Sequence, residues 1–304
     1  MLPTITRPPI TLDTAAGLYQ DHAESLPSWP TTRYILKSLL ALGRGLLLSE
    51  IGQDALRRHF AKRRAGRSNA TVNREMEVAR SLWRMADKNR FDVGEMPDWK
   101  ALRLKVPSKP PRELSFDEEA AVFEHLRADV RDVVDFALKS GWRKSEVLGL
   151  RWSDVDLIRQ EASTRIKGGD TVLRPLTRAL TVLIAGQPRV GPFVWTYVCE
   201  RNRDKRRKGE RYPLTVTALR KPWTEALSAA GVEAMRFHDL RHTRGTRIVR
   251  TTGSLAAAKR ALEHKSIATT LRYAHVLDDD LRSALDASES RTTPAQQHDE
   301  KKKA

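Results

Sequence analysis

The sequence of 304 residues contains one cysteine, Cys199, and no apolar run long enough to cross a bilayer. A single cysteine excludes an intrachain disulfide and a cysteine-based zinc site, which is typical of a reducing compartment. The first ten residues contain three prolines and lack the apolar segment of a secretory signal. These absences lead us to expect a cytoplasmic protein without a membrane partner.

Basic residues are what the sequence has in excess. Its 55 Lys and Arg outnumber its 38 Asp and Glu, which gives a formal net charge of +17 and an isoelectric point near 10.3. Such a charge favours a polyanionic partner, and nucleic acid is the first candidate. A merely soluble basic protein or a membrane-surface binder is the alternative, although no basic amphipathic helix dominates the sequence.

The chain is long enough for two domains, each with its own core. The segment VPSKPPR holds three prolines, so neither a helix nor a central strand can run through it. The last residues are polar and offer little to pack. We predict a flexible arm, an N-terminal helical DNA-binding domain, a linker, a catalytic domain and a disordered tail, at residues 1–10, 11–105, 106–112, 113–288 and 289–304.

Apolar periodicity and helix-start signals predict mostly helices. A long helix is expected over residues 69–89. Ser115, followed three residues later by Glu118, forms a capping box that predicts a helix start. A further apolar helix is expected over residues 128–140, and Gly141 should end it.

Six basic side chains fall within eleven residues that include no acid: Arg57, Arg58, Lys62, Arg63, Arg64 and Arg67. Ser68, Asn69, Thr71 and Asn73 follow as short polar donors. Lysine and arginine contacts to phosphates supply most of the affinity of proteins for DNA, so we interpret the cluster as a DNA-binding surface. A solvated helix face is an equally good interpretation of the cluster taken alone.

The stretch from residue 237 to 276 combines anion-binding side chains with one evident nucleophile. His238 and Arg241 are three residues apart near a predicted helix start, where free backbone N–H groups also favour an anion. A second short helix, then His264, then a third helix carrying Tyr273 follow. We interpret the stretch as a phosphate site with Tyr273 as nucleophile, and a buried structural tyrosine is the alternative.

His238 and His242 also match the i, i+4 spacing of a zinc pair. Arg241 and Arg244 would repel a divalent cation, and the sequence lacks the glutamate of an HExxH site. We therefore predict no metal here, and we expect His242 to pack beneath the helix instead of reaching a substrate.

The order His-x-x-Arg, His, and Tyr nine residues later resembles the tyrosine recombinases, or phage-type integrases. Upstream, SGWRKSEVLGLRWSDVDL resembles the first arginine box of that family, with Arg143 as its arginine and Glu146 as its acidic neighbour. Strands predicted at 161–166 and 171–176 flank the turn KGGD and resemble the family's lysine hairpin. A gap-free match places the lysine at Lys167.

The resemblance implies a mainly α fold, in which a helical core-binding (SAM-like) bundle precedes an α+β catalytic domain with a small antiparallel sheet. It also implies an enzyme of site-specific recombination or DNA integration, which cleaves and rejoins DNA through a 3′-phosphotyrosyl intermediate without metal, cofactor or ATP. The implied partners are double-stranded DNA with specific sites, a homo-tetramer in the synaptic complex and accessory DNA-bending factors. A Xer-like, prophage or integron-like member acting at the bacterial nucleoid fits the chain length.

The resemblance assigns catalysis to six residues: Arg143, Lys167, His238, Arg241, His264 and Tyr273. Arginine's planar fork can hold two phosphate oxygens, so Arg143 and Arg241 are expected to hold the phosphate. Lys167 is expected to protonate the leaving 5′ oxygen, because neighbouring cations and burial lower a lysine's pKa. His238 would transfer protons around the tyrosine, and His264 would bind a non-bridging oxygen.

One departure from the family pattern lies beside the second histidine. The family usually has glycine at that place, whereas Glu263 precedes His264 here. A carboxylate next to a phosphate ligand could point outward or weaken DNA binding. Two other functions stay open at this point: a catalytically silent DNA-binding or architectural protein, and DNA relaxation of the type IB topoisomerase kind.

Overall fold

The computed structural model describes residues 7–107, 111–165, 171–203 and 205–277, together with residues 281, 282, 285, 286 and 288. The chain divides into two compact units between residues 108 and 109, inside the proline-rich stretch. Each unit has a hydrophobic core of its own. The functional assignment of each unit stays a prediction.

The first unit is helical. Its helices are α1 (Leu12–Ala23), α2 (Trp29–Leu39), α3 (Gln53–Arg64), α4 (Asn69–Lys88) and the short α5 (Trp99–Leu102). The long helix α4 confirms the prediction for residues 69–89 and begins at Ser68, whose hydroxyl accepts from the backbone N–H of Thr71. Val72, Ala79 and Leu82 recur at helical spacing and are fully buried. One apolar face of α4 therefore supports the core of this unit.

The expectation of a flexible arm is wrong for residues 7–10. The carbonyl of Pro8 accepts a hydrogen bond of 2.8 Å from the backbone N–H of Asp92, and Ile10 is buried in the core of the first unit. Burial of the apolar side chain of Ile10 lowers the free energy of the folded state, and the backbone on either side of it therefore packs against the first unit. Residues 1–6 lie outside the described part.

The second unit opens with helices that end or begin at predicted signals: α6 (Phe116–His125), α7 (Ala128–Ser140) and α8 (Lys144–Leu148). The predicted capping box is confirmed, since the Ser115 hydroxyl and the Glu118 carboxylate each accept from the other's backbone N–H. Gly141 ends α7 at φ +65°, as predicted, and a Cβ there would lie 2.7 Å from the Leu262 side chain. Only glycine fits this junction.

Two small antiparallel sheets lie in the second unit. Their strands are β1 (Val155–Asp156), β2 (Glu161–Arg165), β3 (Thr171–Pro175), β4 (Thr196–Val198) and β5 (Arg211–Pro213). In the first sheet β2 pairs with both β1 and β3, and Ala162 lies opposite Arg174. The predicted hairpin is thus confirmed in its strands, and its turn, which includes Lys167, lies outside the described residues.

Five further helices follow in the described part of the second unit. They are α9 (Arg178–Ala185), α10 (Val216–Ala229), α11 (Asp239–Thr252), α12 (Leu255–Ala261) and α13 (Ile267–Thr270), and α13 continues into a 3₁₀ turn at Leu271–Tyr273. Tyr273 belongs to a small apolar cluster with Val249, Ala258 and Leu262. Over the described ranges, no helix is both long and apolar enough to span a bilayer.

Candidate active site

Arg143 is held at the start of α8 by a carboxylate one turn further along. α7 ends at Gly141, so Arg143 falls at the N-cap of α8 and Glu146 at its third position. Glu146 accepts from the Arg143 backbone N–H at 2.9 Å and from its Nη1 at 2.6 Å. Glu146 therefore bonds both the backbone and the side chain of Arg143.

Arg241 lies in the first turn of α11 and is 3% exposed. Its Nη1 donates to the Gly141 carbonyl at 2.7 Å, and its Nη2 donates to the Leu262 carbonyl. Burial, with a further contribution from the nearby Arg143 charge, lowers the pKa of Arg241 to about 10. The guanidinium is thus still charged at neutral pH, and it has more N–H donors than these two bonds use.

A third arginine, Arg174 of β3, is buried beside this pair. Its Nη1 donates to Glu146 Oε2 at 3.1 Å, its Nη2 donates to the Ala261 carbonyl at 3.2 Å, and its guanidinium lies 4.8 Å from the centroid of the Trp142 ring. The sequence analysis missed Arg174. Strand alternation offers a signal, because Arg174 shares the inner face of β3 with Val172.

The three arginines meet three consecutive carbonyls at the end of α12, which we call the carbonyl row. Arg174 donates to Ala261 O and Arg241 to Leu262 O, while Arg143 Nη2 donates to Glu263 O at 3.3 Å. The last carbonyls of a helix lack intrahelical partners and carry partial negative charge, which favours cations. The carbonyl row therefore fixes all three guanidinium groups by means of backbone atoms.

The backbone explains why the family places glycine at the position of Glu263. Glu263 has φ +51°, in the left-handed region that glycine adopts most readily. Its carboxylate stabilises the Arg174 cation, whose pKa is lowered mainly by burial and is raised in part by Glu146 and Glu263. The unusual acid is thus accommodated by the neighbouring arginines.

Tyr273 is fully buried next to the arginines. Its hydroxyl lies 2.9 Å from Nδ1 of His242, and its ring is nearly parallel to that of His264, with centroids 6.4 Å apart. A Cβ at Gly245 would lie 2.5 Å from the ring of Tyr273. Burial raises the pKa of Tyr273, while Arg241 and Arg272 oppose that rise.

The histidines around Tyr273 are neutral at physiological pH. Burial is the largest cause that lowers the pKa of His242 to about 4 and of His264 to about 4, and it also lowers the pKa of His238. Nδ1 of His264 bonds the hydroxyl of Thr270 at 2.9 Å, which turns Nε2 away from that residue.

The contact to the tyrosine hydroxyl comes from His242, which we had expected to pack beneath the helix. His238 lies against His242, with ring centroids 5.0 Å apart. The i, i+4 spacing noted in the sequence puts both rings on one face at the start of α11.

Lys167 lies outside the described residues, so its role stays a prediction. Among the residues that are described, no group of three or more His, Cys, Asp or Glu is placed to hold a metal ion.

The basic cluster of the first unit lies on α3 and the turn after it, and most of its members are exposed. Arg63 differs, because it makes two bonds of 2.8 and 2.7 Å to the buried carboxylate of Glu75. Of the four polar donors, Ser68 caps α4 and its hydroxyl lies 2.9 Å from that of Thr71, while Asn69 and Asn73 bond the backbone of residues 104 and 105. Their contacts are therefore internal, and DNA binding by the six basic residues stays a prediction.

The described part of the chain is mainly helical, and Arg143, Arg241 and His264 lie near the buried Tyr273, which is the grouping that the resemblance to the tyrosine recombinases implies. The chain belongs to the phage integrase family, whose sequence model matches residues 114–280, more than half of the chain.

Two relatives show the extent of the similarity. The integrase of Salmonella phage P22 is 26% identical over 216 residues, which cover 66% of this chain and 51% of that protein. Tyrosine recombinase XerC of Xanthomonas campestris pv. campestris (strain B100) is 27% identical over 240 residues, covering 76% of this chain and 71% of that protein. The match thus spans about half the length of the phage relative.

Solved structures confirm the predicted fold class. A lambda integrase dimer bound to a COC′ core site matches with a TM-score of 0.69 at 16% identity, over 97% of this chain and 81% of that chain. The XerH site-specific recombinase bound to a palindromic difH substrate matches with a TM-score of 0.67 at 19% identity, over 90% and 83% of the two chains. At such identities the likeness shows the fold.

Proposed function

We propose that this chain is a site-specific DNA recombinase that cleaves and rejoins DNA through a 3′-phosphotyrosyl intermediate. The observation that carries the proposal is the carbonyl row, which brings Arg143 and Arg241 to one place beside Tyr273 and His264. The family membership and the relatives named as recombinases support the same activity.

Arg143 and Arg241 would stabilise the charge that develops on the non-bridging oxygens of the attacked phosphate. Both guanidinium groups are fixed before substrate arrives, so little reorganisation is needed when that charge forms. Loss of one such donor typically costs about 3 kcal/mol, or ~100-fold in rate. Removal of either arginine should therefore slow DNA cleavage severely. Because the arginines meet the phosphate charge, neither cleavage nor rejoining needs a metal.

Tyr273 would attack phosphorus to form the phosphotyrosyl ester while the P–O5′ bond breaks. His242, which contacts the hydroxyl, and His238 beside it would guide the departing tyrosine proton, and the departing oxygen would take a proton from Lys167. The ester conserves the energy of the broken bond, so rejoining by a 5′ hydroxyl requires no ATP.

The partners belong to the same proposal. Double-stranded DNA with specific sites would be gripped partly by the exposed members of the basic cluster, in a homo-tetramer aided by accessory DNA-bending factors at the nucleoid. Leu281 and Leu285 support assembly, since they are 58% and 53% exposed one helical turn apart. Exposed leucines at such spacing are typical of a helix that packs on a partner.

The test traps the covalent intermediate. Labelled fragments of the DNA that flanks the gene for this chain are incubated with protein in EDTA and then run on a denaturing gel. Wild type and the control Tyr19→Phe should form a covalent adduct, and Tyr273→Phe should form none while retaining DNA binding. Adduct formation by Tyr273→Phe, or a strict magnesium requirement, would refute the mechanism.

The same experiment separates the alternatives. Sequence-specific binding without any wild-type adduct would indicate an architectural protein. Relaxation of supercoiled plasmids that lack the flanking DNA would indicate a topoisomerase.

A further inference from the structure

Arg174 links β3, α8 and the end of α12, and the proposed mechanism assigns it no role. It lies on β3, bonds the carboxylate of Glu146 on α8 and bonds the carbonyl of Ala261 at the end of α12. We propose that Arg174 is a positioning residue that sets the geometry and the charge of Arg143 through Glu146. The inference rests on the proposed recombinase function and deepens it.

Burial shows that Arg174 acts through other residues. Its exposure is 3%, and its guanidinium is taken up by Glu146, Ala261 and the ring of Trp142. A phosphate in the site would have to displace these contacts to touch it. Arg174 is therefore placed to hold the groups that hold the substrate.

Charge balance gives Arg174 its effect. The side chain of Glu146 is 4% exposed, and a buried carboxylate requires cationic or hydrogen-bonding partners. Arg143, Arg174 and Glu146 together carry a net charge of +1. Without Arg174 the single charge of Arg143 would be neutralised by Glu146, and less attraction would be left for a phosphate.

Geometry adds to the charge effect. Glu146 Oε2 accepts both from Arg174 Nη1 and from the backbone N–H of Arg143. The position of this oxygen is thus set from two sides, and Oε1 is then aimed at Arg143 Nη1 at 2.6 Å. Removal of Arg174 frees the carboxylate to rotate, and Arg143 would move with it.

The test compares charged and neutral phosphates at the cleaved position. The fragment that gives the wild-type adduct is prepared with its natural phosphate or with a methylphosphonate, which lacks one negative charge. Arg174→Met should slow adduct formation by about 10- to 100-fold on the phosphate, the range seen when outer partners of metal ligands are removed. On the methylphosphonate most of this loss should disappear, as it should for Arg143→Ala, because less charge has to be stabilised.

Arg174→Lys is the second variant. Lysine keeps the charge but cannot bond Glu146 and the Ala261 carbonyl with one planar group. Its rate on the phosphate should therefore fall between those of wild type and Arg174→Met. If Arg174→Met does not fold, the rates of Arg174→Lys on the phosphate and on the methylphosphonate are compared instead. A loss confined to the phosphate supports the inference, and an equal loss on both contradicts it.

Arg127→Met is the matched control. Arg127 bonds the mostly buried carboxylate of Asp129 at 2.6 Å. It precedes α7, whose length of about 20 Å separates it from Arg143 at the other end. Its loss also breaks an ion pair, so it should lower the melting temperature without changing the ratio of the two substrates.

Two results would be decisive against the inference. Wild-type rates for Arg174→Met on the phosphate would overturn it. An equal loss on both substrates would assign Arg174 a structural role only. The absence of any adduct with wild-type protein would instead overturn the proposed function, and this result differs from a defect confined to the Arg174 variants.

Discussion

At Glu263, where the backbone is left-handed, we predict that glycine is more stabilising than alanine. Within helices alanine is more stabilising than glycine by roughly 1 kcal/mol. At φ +51° the order should invert. A residue with a Cβ costs about 1–2 kcal/mol in this conformation, whereas the greater freedom of glycine in the unfolded chain costs only about 0.4–1 kcal/mol.

The perturbation is a pair of variants, Glu263→Gly and Glu263→Ala. Both remove the carboxylate, so the difference between them isolates the backbone. From the values above, Glu263→Gly should be more stable by roughly 0.5–1 kcal/mol. The matched control is Glu225 on α10, an exposed helical residue paired only with a surface lysine at 3.5 Å, where Glu225→Ala should be more stable than Glu225→Gly by roughly 1 kcal/mol.

The assay is urea unfolding of all four variants, followed by circular dichroism. The free energy differences at the two positions should have opposite signs and should differ by roughly 1.5–2 kcal/mol. If Glu263→Ala equals or exceeds Glu263→Gly in stability, the left-handed backbone does not explain the glycine of the family, and the anchoring of the carbonyl row would need another account.

Three further results are expected. Gly245→Ala should displace Tyr273, whose ring would lie 2.5 Å from the new Cβ, and destabilise the protein by about 1–3 kcal/mol, whereas Gly17→Ala on open α1 should stabilise it; equal melting temperatures would contradict this. Burial lowers the pKa of His242 to about 4, so below pH 6.5 the unfolded chain binds a proton that the folded chain does not bind, and the free energy of unfolding should fall from pH 6.5 to about 4, by less in His242→Gln than in wild type. Lys167→Ala should lose roughly 100- to 10,000-fold in cleavage rate but recover on DNA with sulfur in place of the bridging 5′ oxygen, and failure to recover would remove Lys167 as the general acid.

Much of the fold follows from local sequence signals. The apolar spacing of α4, the capping box at Ser115 and the stop at Gly141 each depend on residues within a few positions of one another. These elements were placed correctly because local chemistry and the final packing agree. The order of the arginine, histidine and tyrosine motifs is likewise read from the sequence, and it selects Arg143, Arg241 and Tyr273 as candidate site residues.

What the sequence does not predict are partners far apart in the chain. Arg174 meets Glu146 across 28 positions, and the role of either residue depends on the packing of β3 beside α8. The hydroxyl of Tyr273 contacts His242, 31 positions away, whereas the His-x-x-Arg motif had pointed to His238. Asn69 and Asn73 were assigned to DNA because nothing local indicates that residues 104 and 105 return to them.

The carbonyl row presents atoms that every amino acid possesses. Replacement of Ala261, Leu262 or Glu263 changes a side chain and leaves the three acceptors in place, so no single codon change can delete them. Deletion of one residue from α12 is different, because it would turn the helix end by about 100° and carry the carbonyls away from the arginines. The acceptors of this segment are therefore insensitive to substitution of its side chains but sensitive to a change in its length.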